Sequence, residues 1–282
     1  MQFFRFGAPG NERPAVRHGD AAFDLTPLTR DIDGDFLAAD GLDRARDAVR
    51  AGELPQLSGE LGPLASPIAR PQAIACIGMN YAAHAAESGA APPTVPIIFY
   101  KHPATIVGPE DDVVIPPGAT AVDWEVELAI VMKRTPPCLE SADEALAYIA
   151  GYTIANDVSE RDWQLKDSGG QWSKGKSART FNPLGPWLVP ADELDAGALR
   201  LRSWVNGEVR QDSSTSDLIF SVGEIVAHLS RYVHLAPGDV INTGTPEGVA
   251  LSGRFPYLRA GDVMELEIEG LGRQRQRLVA ER

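Results

Sequence analysis

Short runs in which apolar and polar positions alternate with period two recur along this chain, and helical spacing is confined to a few stretches. The most informative run is WEVELAIV at 124–131. There Val126, Leu128 and Ile130 fall on one side of the alternation, and Glu125 and Glu127 share the other. Two carboxylates on one strand face repel each other. On a solvated face the cost is small, whereas on a buried face a cation must sit between them. The segment alone leaves both readings open.

The same pattern predicts short strands over 3–6, 15–18 and 22–25 and a helix over 42–50. Pro63, Pro67 and Pro71 then punctuate LGPLASPIARP, an extended connection that separates a small N-terminal domain, 1–69, from a larger one, 70–282. In the larger part, strands are predicted over 73–77, 97–101, 113–115, 151–157, 240–242, 262–269 and 271–279. Four stretches predict helices: the Ala-rich 81–88 before Gly89, 141–149 with Ser141 and Glu144 at capping-box positions, the stretch after Asp157 that carries Arg161, Trp163 and Gln164, and 221–232 with Val222, Ile225, Val226 and Leu229 at helical spacing. Asn206-Gly207, between runs at 201–205 and 208–210, predicts a hairpin with a type I′ turn.

Hydrophobic residues make up 44% of the 282 positions and charged residues 23%, a balance that supports a sizeable core and argues against global disorder. The formal net charge of −13 argues against nucleic acid and anionic membranes as partners. An anionic substrate would then need a local positive charge, and a bound metal is one source. Cys76 and Cys138 stand far apart, in no CxxC spacing, which predicts two buried, inert thiols rather than a disulfide framework or a thiolate zinc site. No stretch approaches the roughly 18 apolar residues of a membrane span, and no basic region followed by a long apolar run opens the chain. The expected location is therefore cytoplasmic. There is no heptad pattern, repeat, GxGxxG or P-loop.

Several polar residues stand where chemistry is possible. His84 and Glu87, three apart on the helix over 81–88, read either as an exposed pair or as a general base oriented by a carboxylate. Asp157, at a strand-to-helix junction, reads as a metal ligand or as an N-cap, with Arg161 and Gln164 one and two turns into the helix that follows. Lys174 and Lys176, in the loop SGGQWSKGKS, are either solvated or, beside Gly175, able to approach a ligand closely. The turn GDVINTGTPEGV, with Thr243 and Thr245, is a plain β-turn or an anion-binding nest. His228 and His234 read as core-edge or surface residues.

Four stretches in order, IGMNYAAHAAE, DWEVELAIV, GYTIANDVSERDWQ with QWSKGKS close behind, and INTGTPEGV, resemble the fumarylacetoacetate hydrolase superfamily over roughly residues 70–282. The resemblance implies an α+β, mainly β fold: a mixed β-sandwich roll with a small N-terminal domain. It implies that Glu125, Glu127 and Asp157 hold a divalent metal. Three hard oxygen donors without a His or Cys pattern independently favour Mg²⁺, Mn²⁺ or Ca²⁺ over zinc. By the same resemblance His84 and Glu87 form a catalytic dyad on a mobile segment, and Lys176 is the active-site lysine, with Lys174 peripheral. Arg161, Gln164 and Thr245 are the substrate-contacting positions.

The implied reaction is hydrolysis of a carbon–carbon bond in a 1,3-dicarbonyl acid. Water activated by His84 and Glu87 attacks the distal carbonyl, Lys176 stabilises the oxyanion, and the products are pyruvate and a carboxylic acid. The wording ERDWQ…GGQWSKGKS resembles bacterial members acting on 2,4-diketo-3-deoxy sugar acids. Relatives that isomerise or decarboxylate homocatechol-pathway diacids, decarboxylate oxaloacetate or cleave ureidoglycolate share the same pattern. A metal-binding protein without turnover is a further alternative. The expected partners are a small 2-oxo acid and a second copy of the chain in a homodimer.

Overall fold

A computed structural model describes residues 1–87, 89 and 91–281. The chain opens with β1 (Gln2–Phe6), β2 (Arg13–His18) and β3 (Ala21–Asp24), passes through α1 (Gly34–Ala38) and α2 (Gly41–Ala51), and returns as β4 (Leu64–Ala65). These strands form a four-stranded sheet in the order β3-β2-β1-β4. The helix expected over 42–50 is α2. The short α1 escaped the pattern reading because its five residues are too few to show a helical period, although Asp33 caps it by accepting the Phe36 N–H.

The next elements are β5 (Ile74–Gly78), α3 (Ala82–Glu87), β6 (Ile97–Lys101), β7 (Ile106–Val107), β8 (Val113–Ile115), β9 (Val122–Asp123) and β10 (Val126–Met132). After α4 (Ala142–Ala145) come β11 (Ile149–Asn156), β12 (Ser159–Glu160), α5 (Arg161–Leu165), α6 (Ser173–Lys176), β13 (Asn182–Pro183) and β14 (Val189–Pro190). The hairpin β15 (Arg200–Val205) and β16 (Glu208–Ser214), α7 (Val222–Leu229), β17 (Val240–Asn242), β18 (Val263–Ile268) and β19 (Gly272–Ala280) complete the chain. Among the described residues, no helix is long and apolar enough to cross a membrane.

Two sheets face each other across the main core: a mixed six-stranded one, β14-β11-β10-β17-β5-β6, and a five-stranded one, β16-β15-β18-β19-β8. The α+β, mainly β roll expected from the sequence is thus the observed architecture. Val126, Leu128, Ile130 and Met132 of β10 point into this core beside Leu201, Leu266 and Leu278. Burying a side chain such as Leu128 is worth about 2 kcal/mol. The opposite face of β10 is covered as well, because Ala129 packs with Cys76 and Phe99, and Val131 with Phe3 and Leu188. A strand covered on both sides has no solvated face for Glu125 and Glu127, so the exposed-strand alternative is removed.

Three local expectations change. The helix over 141–149 splits into α4 and a 3₁₀ turn at Leu146–Tyr148, since the chain must straighten in time for Ile149 to pair with Met132. Ser141 caps α4, but Glu144 turns back to the Glu140 N–H, and among the described residues the reciprocal box forms at Ser221 and Glu224 at the start of α7. Cys138 is exposed, unlike the buried Cys76, because it lies in the loop after β10 rather than in a sheet. Asn206 and Gly207 do take positive φ, 53° and 81°, as a type I′ turn requires. Of the helix expected over 81–88, Ala82–Glu87 is helical, and Ser88 lies outside the described residues, as does Arg282 at the end of the larger part.

Candidate metal and active site

Glu125 lies immediately before β10, Glu127 is its second residue, and Asp157 follows β11, which pairs antiparallel with β10. The Asp157 N–H donates to the Glu125 carbonyl at 3.0 Å, fixing the two residues side by side. One carboxylate oxygen from each of Glu125, Glu127 and Asp157 lies within 4.8 Å of the others, and all three residues are buried. Asp157 is not the N-cap of α5. That position belongs to Glu160, which accepts the Trp163 N–H at 2.7 Å.

Buried cations surround the three. Lys176 Nζ donates to Glu125 Oε2 at 2.7 Å and to Asp157 Oδ2 at 2.8 Å. Lys101 donates to Asp157 Oδ1 and to the Phe181 carbonyl, the latter at 2.6 Å. Arg161 Nη2 lies 2.7 Å from Glu125 Oε1, an ion pair without hydrogen-bond alignment, while its Nε donates to Asp123 Oδ2 at 2.8 Å. Burial would raise the Glu125 carboxyl, but Lys176 and Arg161 override it and hold the group well below the carboxylate range. Burial would likewise weaken the Lys176 ammonium, and the charges of Asp157 and Glu125 reverse that, so it stays protonated.

Glu127 is different. It is 2% exposed, forms no ion pair among the described residues, and accepts the Gly244 N–H at 2.7 Å. Burial drives its carboxyl well above the ordinary range, and the charges of Asp157 and Glu125 push the same way. Asp123, Glu125 and Asp157 thus pair with three buried cations, and Glu127 pairs with none among the described residues. A divalent ion with oxygen ligands at about 2.0–2.6 Å can span donors up to about 5 Å apart. The all-oxygen donor set and the missing positive charge therefore fit a hard divalent cation.

Glycine makes two of these placements possible. A Cβ on Gly175 would meet the Gln164 nitrogen and the Glu160 carbonyl oxygen at 2.4 Å, so only glycine lets α6 lie against α5 and carry Lys176 inward. The loop SGGQWSKGKS is therefore partly helical, with Lys176 buried and Lys174 on the surface. Gly244, at φ 101°, brings its N–H to Glu127, where a Cβ would collide with Asn80 Cβ at 2.8 Å.

His84 on α3 is 7% exposed, and the charges of Glu125, Arg161 and Lys176 all reach it. Burial lowers the imidazole from its ordinary value, so it is neutral near pH 7. Its Nδ1 lies 3.9 Å from Glu87 Oε2, too far for a hydrogen bond, and Glu87 instead accepts the Gly248 N–H at 3.0 Å. Gln164 accepts from Arg161 Nη1 at 2.9 Å. The Thr245 hydroxyl donates to the Val126 carbonyl at 2.9 Å and accepts from Gln211, so its proton is committed to the loop rather than free for a ligand.

Two residues of the cluster were not singled out in the sequence. Lys101 ends β6 on the same side as buried Phe99, and a lysine at an inward position of a strand was the available signal. Asp123 shares the parity of Glu125 and Glu127, two residues before them. It braces Arg161 and accepts the N–H groups of Ala250 and Leu251. A cleft of about 720 Å³ lies elsewhere, lined by Arg46, Lys133, Tyr152 and Asp195 among others.

Residues 73–279 match the family described as fumarylacetoacetate (FAA) hydrolase C-terminal. The chain is 44% identical over 283 aligned positions, 98% of each chain, to a Burkholderia multivorans protein whose hydrolase name is provisional. A structure of 5-carboxymethyl-2-hydroxymuconate delta-isomerase from Mycobacterium smegmatis is 34% identical, with a TM-score of 0.77 over the whole of both chains. Maleylpyruvate hydrolase from Sphingobium sp. SYK-6, solved with manganese(II) and pyruvate, is 28% identical, with a TM-score of 0.81 and the same full coverage.

Proposed function

The chain belongs to the fumarylacetoacetate hydrolase family, and from that premise we propose that it hydrolyses a carbon–carbon bond in a 2,4-dioxo acid, releasing pyruvate and a carboxylic acid. The observation that carries this reading is the buried, uncompensated Glu127 carboxylate beside Glu125 and Asp157, with a neutral histidine and a buried ammonium at the same place. The manganese(II) and pyruvate of the Sphingobium hydrolase support it.

Glu125, Glu127 and Asp157 would hold the divalent cation, Mg²⁺ or Mn²⁺ or Ca²⁺, which when bound supplies positive charge and Lewis-acid polarisation for the 2-oxo acid end. The neutral His84 takes a proton from water, whose oxygen attacks the carbonyl distal to the acid. Glu87 acts on His84 through its charge from 3.9 Å. Lys176 uses two N–H groups on Glu125 and Asp157, leaving the third for the anionic oxygen that forms on the attacked carbon. Arg161 and Gln164 form a fixed pair that positions the substrate. When the C–C bond breaks, its electron pair passes to the three-carbon fragment as an enolate, and protonation at carbon gives pyruvate. The hydroxyl from water stays on the acyl carbon.

A coupled pyruvate assay on acylpyruvates, with and without EDTA and after Mn²⁺ or Mg²⁺ is restored, tests the proposal. Turnover that survives complete metal removal would refute it. The second reading, isomerisation of an unsaturated 2-oxo diacid, is favoured by the M. smegmatis isomerase. It predicts a shift of the substrate's ultraviolet absorbance with no pyruvate formed.

A further inference from the structure

The Lys101 side chain has no solvent exposure, although it ends in an ammonium. It leaves the last residue of β6, opposite Ile74 at the start of β5. Its Nζ donates to three oxygens: Asp157 Oδ1, the Phe181 carbonyl at 2.6 Å and the Val158 carbonyl at 3.3 Å. An ammonium has three N–H groups, so all of them are used. With two tied to backbone, Nζ cannot follow Asp157 if that carboxylate turns. The same strand edge carries α6, because the Tyr100 and His102 N–H groups donate to Ser173 Oγ and Ser177 Oγ at 3.3 and 3.1 Å. Both lysines of the site are thus set by β6.

Each carboxylate of the cluster has one oxygen occupied by a fixed partner. For Asp157 it is Oδ1, held by Lys101. Glu125 Oε1 lies 2.7 Å from Nη2 of Arg161, which Asp123 braces, and Glu127 Oε2 accepts the Gly244 N–H at 2.7 Å. The other three oxygens are Glu125 Oε2, Glu127 Oε1 and Asp157 Oδ2. Among the described residues Lys176 is the one donor that reaches any of them, bridging Glu125 and Asp157 at 2.7 and 2.8 Å. A carboxylate oxygen has lone pairs beyond the one such a bond takes, so these three stay open to a cation. A cation that also took Asp157 Oδ1 would meet the Lys101 ammonium across a single oxygen, and like charges repel.

We propose that Lys101 is a positioning residue: it restricts Asp157 to one open oxygen and thereby makes the cluster select a small octahedral cation, Mg²⁺ or Mn²⁺, over Ca²⁺. Ca²⁺ takes about six to eight oxygens and readily uses both oxygens of a carboxylate, whereas Mg²⁺ demands a near-ideal octahedron. The inference rests on the three carboxylates holding a divalent ion and is independent of the reaction that follows.

Calorimetry on metal-free wild type and Lys101→Met, with Mn²⁺ and Ca²⁺, tests it, together with a count of the waters on bound Mn²⁺ from paramagnetic resonance line broadening in ¹⁷O-enriched water. Removing a positive charge favours both ions alike, so the ratio of the two affinities isolates the restriction on Asp157. The wild type should prefer Mn²⁺, and Lys101→Met should reduce that preference about tenfold, the scale of losing a residue that orients a metal ligand. One oxygen from each carboxylate leaves octahedral Mn²⁺ with about three waters, and the variant should show about one fewer because Asp157 can then chelate. A merely structural role would weaken both ions together and leave the ratio and the water count in place. An unchanged ratio, or a wild-type ion with about two waters or fewer, overturns the assignment, and the wild-type count decides even if the variant does not fold. Binding with an unchanged ratio removes the role of Lys101 alone, whereas wild-type protein that binds neither ion removes the metal site as well.

Discussion

The Lys176 ammonium bridges Glu125 Oε2 and Asp157 Oδ2, at 2.7 and 2.8 Å, and so pairs with two of the three carboxylates that would hold a divalent cation. A fixed positive charge there opposes a second one. Lys176→Met is therefore expected to tighten Mn²⁺ binding in calorimetry while lowering kcat by about 10²–10³, the usual cost of losing a donor to a developing oxyanion. Weaker metal binding in this variant would show that Lys176 organises the carboxylates instead of competing for them.

Glu127 is the carboxyl of the site without a cation partner among the described residues, and its folded-state carboxyl lies well above the ordinary value. A raised carboxyl contributes stability that is present below the unfolded-state value and is lost as pH rises through the folded one. The metal-free protein should thus lose stability toward neutral pH, and Mn²⁺ should restore it, so the metal-induced rise in Tm grows with pH. At about a hundred times Kd the stabilisation is about 2.7 kcal/mol, several degrees in Tm. Glu127→Gln should abolish that rise and the turnover, with a metal-free Tm no lower than wild type. A variant that keeps metal affinity and activity would take Glu127 out of the site.

The carboxylates were legible because a period-two strand displays its chemistry in order: Glu125 and Glu127 share a parity, and Asp157 closes the partner strand. Their burial was not legible, since the far face of β10 is covered by Cys76 and Phe99 at Ala129 and by Phe3 and Leu188 at Val131, from distant parts of the chain. Lys101 was overlooked because IIFYK reads as an ordinary strand end. Its inward side was visible only through Phe99, two residues earlier. Gly175 read as room for a neighbouring lysine to approach a ligand, whereas it marks a helix contact.

That contact gives a prediction about placement. Gly175→Ala puts a Cβ at 2.4 Å from the Gln164 nitrogen and the Glu160 carbonyl oxygen, forcing α6 away from α5. Overpacking of this kind costs about 1–3 kcal/mol, and a displacement of about 1 Å at Lys176 costs about a hundredfold in turnover. Loss of kcat well beyond the loss of Tm, with Mn²⁺ binding retained, is the expected pattern. An unaltered kcat would separate the position of Lys176 from catalysis.

His84 supplies the pH dependence. Burial lowers its pKa from the ordinary 6.5, against the opposing charges of Glu125 and Glu87. The base works only as neutral imidazole, so kcat/KM should fall on the acid side with a midpoint below 6.5 and be level through neutral pH. Glu87→Gln removes a charge that favours imidazolium, which moves the midpoint further toward acid. That direction separates an electrostatic partner from a merely structural one, since loss of the Glu87–Gly248 contact alone would lower kcat without moving the midpoint. His84→Ala should keep Mn²⁺ affinity and lose about 10²–10⁴ in kcat. A midpoint that moves toward alkaline pH in Glu87→Gln, or a His84→Ala enzyme with unchanged kcat, would assign the proton transfer to another group.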